Sequence, residues 1–287
     1  MMSCQGFFTF LLFTITVWAA RNLLLFAAGI PARTFFIFIL FEMFETEIRR
    51  YVESHGLNAF EPKAVLFDMD GVLYDSMPNH ARSWHESMAK FGLNIAPDEA
   101  YAYEGMRGVE TIKLVARRQW GKELSDDEAA KMYEVKADFF RQCPKAQKMN
   151  GAEELMRKIK AGGLKIVVVT GSGQKSLLKR LIDDYSGLVT PQLMVTSFDV
   201  VHGKPNPEPY LRGLEKAGVK PNEAVVVENA PLGVRAGVAA GIFTIGVNTG
   251  PLPDKALADE GASLVFPSMA ALCDAWQQIM ESRYAVL

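Results

Sequence analysis

Five short apolar runs, at residues 64–67, 166–169, 193–195, 224–227 and 243–247, limit most sharply the folds open to this chain. Four are wholly apolar and the last carries a single Thr244, the near-continuous apolar character that strands buried on both faces of a sheet require. The stretches between the later runs have helical spacing. Leu177, Leu178 and Leu181 share one helix face, and Tyr210, Leu211 and Leu214 share another. Buried strands alternating with amphipathic helices predict an α/β fold, a doubly wound parallel sheet of Rossmann-like type. Such sheets bind ligands at the C-terminal ends of their strands. The residues that follow each run are therefore where chemistry is to be sought.

About a hundred residues separate the first run from the second, too many for an ordinary crossover. Within them Ala81, Trp84, Met88 and Phe91 recur at three- and four-residue spacing, and Ser125-Asp126-Asp127-Glu128 is a helix-start signal. A helical insertion over residues 77–149 is expected, leaving 63–76 and 150–287 as the main domain. Emerging beside the first strand end, it would form a cap, and caps of this kind exclude water and select substrate.

Charged residues at 22% and hydrophobic ones at 49% describe an ordinary globular protein, and a net charge of −2 gives no basis for binding nucleic acid. Cys4, Cys143 and Cys273 are odd in number and lack a C-x-x-C spacing. That argues against a disulfide framework or structural zinc and suits a reducing, cytoplasmic setting. Residues 1–42 stand apart. Their apolar stretches, 7–20, 23–30 and 35–41, are separated by Arg21 and Arg33, and no basic segment precedes Phe7 as a signal peptide would require. No stretch alone reaches the roughly 18–20 residues that span a bilayer, and a helix crossing Arg21 would bear a charge costing about 2.5–3.5 kcal/mol at the membrane centre. Two readings stand: translated sequence upstream of a true start at Met43, or a membrane anchor or hairpin that would place the protein at a membrane. Residues 43–62 read as a helix and linker, with Glu45 and Glu47 early and Arg49 and Arg50 late in the helix.

Four strand ends carry polar residues. Asp68-Met69-Asp70-Gly71 follows the first run directly, with Gly71 allowing a sharp turn. Carboxylates so placed can attack phosphorus, hold Mg²⁺ or shuttle a proton; a solvated turn is the plain alternative. The second run ends in Thr170-Gly171-Ser172-Gly173, whose hydroxyls and glycine-freed N–H groups suit a phosphate, although Thr170 equally serves as a helix cap. Lys204 lies in Gly203-Lys204-Pro205-Asn206-Pro207, where the prolines stiffen its backbone. A fixed ammonium there could neutralise both a carboxylate nucleophile and the phosphoryl group it attacks. The fourth run ends in Glu228-Asn229-Ala230-Pro231. A second acidic strand end beside Asp68 and Asp70 is unfavourable alone and satisfied with Mg²⁺ between them. Asn229 also fits an N-cap before a proline-initiated helix.

In this order and spacing, Asp68-Met69-Asp70-Gly71-Val72, the strand ending at Thr170, Lys204 and Glu228-Asn229 resemble the haloacid dehalogenase-like superfamily of phosphotransferases and hydrolases over roughly residues 63–276. The resemblance implies a nucleophile at Asp68 that forms an aspartyl-phosphate and an acid/base at Asp70. It implies that Thr170 and Lys204 hold the phosphoryl group. Mg²⁺ would be organised by Asp68, the Asp70 backbone carbonyl and the Glu228-Asn229 pair. Asp75-Ser76, His80 and Trp84 further resemble the β-phosphoglucomutase-like branch. There His80, Ser172 and the insertion cations Arg107 and Lys136 become candidate substrate contacts, with ordinary structural or solvated roles as the alternative. Two departures stand out: Asn229 replaces the usual aspartate, and Glu104 stands where mutases carry a lysine. Both are similar to inorganic pyrophosphatase members, and they imply that Glu104 completes the metal site. The expectation is a Mg²⁺-dependent phosphohydrolase of a small phosphorylated substrate, with pyrophosphate favoured. A β-phosphoglucomutase or hexose-phosphate phosphatase is the enzyme alternative, and a non-catalytic, membrane-anchored binding module the alternative from another class.

Overall fold

The structure, a computed structural model, describes residues 32–282. The apolar stretches 7–20 and 23–30 lie outside the described residues. Helix α1 (Ala32–Ser54) runs unbroken through Met43, upstream of where the sequence places its start. Phe44, Ile48, Tyr51 and Val52 bury one face of it against Phe60, Phe243 and Phe266. The Tyr51 hydroxyl donates to the Gly241 carbonyl at 2.7 Å. Among the described residues no helix is long and apolar enough to cross a membrane.

Strands β1 (Ala64–Phe67), β2 (Lys165–Val169), β3 (Met194–Val195), β4 (Ala224–Glu228), β5 (Phe243–Val247) and β6 (Leu264–Phe266) form one parallel sheet in the order β3-β2-β1-β4-β5-β6. This is the expected doubly wound α/β architecture. Strands β1, β4 and β5 are buried along their whole length, as their predominantly apolar runs demand, and Thr244 within β5 turns its hydroxyl back to the Ile242 carbonyl at 2.9 Å. Leu193, read as strand, closes a 3₁₀ turn that Pro191 opens, and β6 escapes a pattern search because it is three residues long. Connections leave β1 toward β2 and leave β4 toward β5, so the winding reverses between β1 and β4. That reversal opens a crevice at their C-terminal ends.

Both sheet faces are covered. One packs on α1, α6 (Ala152–Ala161), α7 (Lys175–Asp184) and α11 (Met269–Glu281). The other packs on α8 (Glu208–Ala217) and α9 (Pro231–Ala239), where Tyr210 and Leu214 are buried while Leu211 turns out to solvent. The short α10 (Asp254–Ala258) links β5 to β6.

Between β1 and α6 the chain makes α2 (Met77–Ala89), α3 (Pro97–Ala102), α4 (Gly108–Trp120) and α5 (Asp126–Gln142). Ala81, Trp84 and Met88 pack there with Ile112, Val115 and Met132 in a cluster separate from the sheet's two. Ser125 caps α5 by accepting the Glu128 N–H, and Glu128 bonds back to the Ser125 N–H. The two chain passages into this insertion lie side by side. Asp75 N donates to Gln147 O at 2.9 Å and Met149 N to Leu73 O at 2.8 Å.

Candidate active site

The register sets the carboxylates side by side. Phe67 pairs with Val227, and the Asp68 N–H bonds the Val227 carbonyl at 3.1 Å, so Asp68 and Glu228 leave adjacent strands at the crevice. Gly71 then takes a positive φ of 82°, and a Cβ there would meet the Asn229 amide nitrogen at 2.0 Å. Only glycine lets the turn after Asp70 approach Asn229 so closely. Thr170 ends β2 nearby, its hydroxyl accepting the Ser172 N–H at 3.0 Å in a tight turn over the same edge. Asp68, Asp70, Thr170, Lys204, Glu228 and Asn229 are all buried, an arrangement far too polar for an ordinary core.

Lys204 organises the core side. Its Nζ donates to Asp68 Oδ1 at 2.5 Å, to Glu228 Oε1 at 2.7 Å and to the Val169 carbonyl at 3.2 Å. Burial works against the charge on Lys204, but Asp68 and Glu228 outweigh it and raise the pKa of the ammonium. Burial, together with the Glu228 and Asp70 carboxylates, pushes Asp68 well above its ordinary value despite the pull of Lys204. Lys204 therefore faces two carboxylates alone, with Asp70 close enough to push on Asp68, and this side of the cluster is short of positive charge.

Two buried oxygens in this cluster, Asp68 Oδ2 and Asn229 Oδ1, have no protein partner. Hard oxygen donors with free lone pairs beside an uncompensated negative charge fit Mg²⁺. Glu228 is in the opposite state. Oε1 accepts from Lys204 and from the Tyr210 hydroxyl at 2.7 Å each; Oε2 accepts the Asn229 and Ala230 N–H groups at 3.0 and 3.2 Å. Among the described residues no three His, Cys, Asp or Glu side chains converge as a metal set. A cation here must draw on Asn229 and on backbone oxygen as well.

The insertion covers the crevice. His80 Nε2 lies 3.3 Å from Asp70 Oδ1, and Ser76 donates to the same oxygen at 2.6 Å. Lys136 Nζ sits 3.1 Å from His80 Nδ1, enclosed by the Trp84 and Phe140 rings at 5.0 and 4.9 Å. An ammonium can only donate, so Nδ1 accepts and the imidazole proton is assigned to Nε2, toward Asp70. Burial raises Asp70, but His80, Ser76 and Lys136 outweigh it and hold the carboxyl below its ordinary value. Lys136 itself is lowered to about 8, chiefly by burial. It is no solvated helix charge. Glu104 and Lys136 line a chamber of about 50 Å³ with Asp70, His80 and Ser172. Glu104 is raised by burial and by Asp70, against His80, Lys136 and Lys204. Arg107 is not brought to this chamber: it is exposed, and its Nη1 donates to the Val201 carbonyl at 2.9 Å. Gly105 packs against the Lys204 side chain, and two residues on Arg107 lies along Gly203, outside the chamber, with its guanidinium on a backbone acceptor.

Sequence reasoning passed over Tyr210, read as an apolar helix position. The signal was its hydroxyl, since a buried tyrosine needs a partner where a phenylalanine does not.

The family profile described as a haloacid dehalogenase-like hydrolase matches residues 62–241, the strands and the insertion that build this site. The chain belongs to the haloacid dehalogenase-like hydrolases. Hexitol phosphatase A of Escherichia coli (strain K12) is 34% identical over 188 residues, covering 65% of this chain and 83% of the relative. The phosphorylated carbohydrates phosphatase of Thermotoga maritima is 30% identical over 211 residues, 71% of this chain and 94% of the relative. A solved structure described as "Putative beta-phosphoglucomutase from Bacteroides vulgatus" superposes with a TM-score of 0.81 at 53% identity, covering 84% of this chain and 98% of that one. As a haloacid dehalogenase-like hydrolase with these neighbours, the chain is an enzyme of the phosphatase and phosphoglucomutase-like type.

Proposed function

We propose that this chain is a Mg²⁺-dependent phosphatase of small carbohydrate phosphates that works through an aspartyl-phosphate on Asp68. The observation that carries the reading is Asp68 itself: one oxygen held by Lys204, the other buried without a protein partner. The Asp68 carboxylate forms a bond to phosphorus as the bond to the leaving-group oxygen breaks. Asp70 supplies that oxygen's proton and then takes one from the water that hydrolyses the acyl phosphate. Asp70 is held below its ordinary value at rest, and the negative charge of an incoming phosphate opposes that shift, favouring uptake from solvent of the proton that Asp70 gives to the leaving oxygen. Lys204 and the Thr170–Ser172 turn hold the phosphoryl oxygens, for phosphoryl transfer needs positioning and charge neutralisation above all. Asp68, Asn229, the Asp70 carbonyl and Glu104 would hold Mg²⁺, which would supply further charge neutralisation.

The names of the relatives above, a hexitol phosphatase, a phosphorylated carbohydrates phosphatase and a "Putative beta-phosphoglucomutase", support the carbohydrate-phosphate alternative over pyrophosphate as the leading substrate. Glu104 speaks for a phosphatase over a mutase, because an acid in the chamber repels a second phosphate on the sugar. The chamber of about 50 Å³ beside Glu104 and Lys136 would suit a small leaving group such as the second phosphate of pyrophosphate, the second reading, whereas the cavity of about 670 Å³ that also borders Asp70 has room for a carbohydrate.

Phosphate release with Mg²⁺ from hexitol, hexose and glycerol phosphates and from pyrophosphate tests the choice, with interconversion of β-glucose 1-phosphate assayed in parallel. Faster turnover of a carbohydrate phosphate than of pyrophosphate is expected. The reverse order establishes the second reading, and isomerisation without phosphate release would make the protein a mutase.

A further inference from the structure

Tyr210 is fully buried on α8, and its hydroxyl meets no water. It donates to Glu228 Oε1, the oxygen that also accepts from Lys204, and the Lys204 Nζ lies 5.1 Å from the centre of its ring. With Oε2 taking the Asn229 and Ala230 N–H groups, the roughly four acceptor positions of a carboxylate are all filled by protein. On the opposite side α9 closes in: a Cβ on Gly233 would lie 1.8 Å from Glu228 Oε1. Glu228 is therefore confined on every side, while Asn229 Oδ1, one residue on, is left open.

We propose that Tyr210 is a positioning residue. Its hydroxyl and ring fix the Glu228–Lys204 pair, so that Glu228 aims the ammonium at Asp68 and is withheld from the cation, which falls to Asp68 and Asn229. The role needs the phenolic oxygen itself, since phenylalanine would fill the same space and release one lone pair of Oε1. This deepens the phosphatase reading and rests on it.

Calorimetric titration of Mg²⁺ into the substrate-free full-length protein, beside steady-state kinetics on its best substrate, tests the assignment with Y210F, E228Q and N229A. Y210F and E228Q are expected to bind Mg²⁺ within about threefold of the parent protein while kcat falls about tenfold or more, and N229A to weaken Mg²⁺ binding about tenfold or more. An unchanged kcat in Y210F overturns the role of Tyr210. An E228Q protein that loses Mg²⁺ as fully as N229A overturns the ligand assignment. A Y210F protein that does not fold, by circular dichroism, overturns the role as well, since positioning requires the fold to survive the loss of one hydroxyl. Failure of the parent protein to bind Mg²⁺, or turnover retained in D68N, sinks the phosphatase reading instead.

Discussion

The two halves of the site are built on different terms. On the core side Asp68 and Glu228 end adjacent parallel strands, Lys204 sits in the turn before α8 and Tyr210 on α8 itself, and short bonds join Asp68 to Lys204, Lys204 to Glu228 and Glu228 to Tyr210. On the insertion side His80 and Lys136 come from helices and Glu104 from the turn between α3 and α4, in a layer with its own core that is tied to the sheet domain by the paired passages at residues 73–75 and 147–149. There the contacts are longer, 3.1 Å from Lys136 to His80 and 3.3 Å from His80 to Asp70, and His80 Nε2 has no well-directed partner. Parallel-strand register fixes the reacting groups, and a separately packed helical layer sets what surrounds them. Substrate choice can then change without disturbing the nucleophile.

Variants that strike the core side are expected to have the largest effects. Asp68→Asn keeps the hydrogen-bonding shape but not the nucleophile, and turnover is expected to fall at least about 10³-fold. Phosphate release by the purified variant, with its melting curve unchanged, checks this; substantial retained turnover would move the nucleophile elsewhere. Lys204→Met removes the only cation between Asp68 and Glu228. Activity is expected to fall about 10²–10³-fold through lost charge stabilisation, and the fold to weaken by about 3–5 kcal/mol as two carboxylates are left buried together. Urea denaturation separates the two effects. Unchanged stability would mean that the carboxylates protonate freely and that the lysine is not their partner.

The same contrast explains what the sequence reveals. Core positions are legible because each follows an apolar strand at once: the run 64–67 delivers Asp68 to the crevice, and 224–227 delivers Glu228. The finer roles are not legible. Whether Glu228 faces a cation or a lysine depends on Tyr210, which is eighteen residues away in sequence and looks like a hydrophobe in a helical pattern. Insertion residues are harder still, since a lysine on a helix reads as solvated whichever way it points. Arg107 and Lys136 look alike in sequence, yet one is exposed on a backbone carbonyl and the other is enclosed by aromatic rings. Asn229 and Glu104 point toward pyrophosphate in the sequence, whereas the named relatives support carbohydrate phosphates, because two departures from a motif say little about the size of the cavity beside it.

Glu104→Ala probes the looser half. The Mg²⁺ concentration for half-maximal activity is expected to rise about tenfold or more, in the range typical for groups that support a metal site. Urea stability should stay the same or rise, because a half-buried carboxyl whose pKa is pushed up costs the fold free energy when ionised. An unchanged Mg²⁺ titration would remove Glu104 from the metal site and leave it a chamber wall.

The smallest expected effect, and the most specific to the insertion side, concerns Lys136. Its pKa in the folded protein is about 8, below the ordinary 10.5, chiefly through burial. Below pH 8 both folded and unfolded chains carry the proton, so the cost of burying the ammonium is fully present there. Between about 8 and 10.5 the folded chain has lost the proton and the unfolded chain has not, so this group makes stability rise with pH. Lys136→Met is therefore expected to be more stable than the parent at pH 7, by on the order of 3 kcal/mol at most, with the difference shrinking as pH climbs through that window. Activity should run the other way. The parent loses the charged donor to His80 above pH 8, so its rate declines on that limb, whereas Lys136→Met shows a lower, flatter profile. A parent rate that holds level from pH 7 to 9.5 would mean that the Lys136 charge does not reach Asp70 through His80, and the two halves would then be coupled by shape alone.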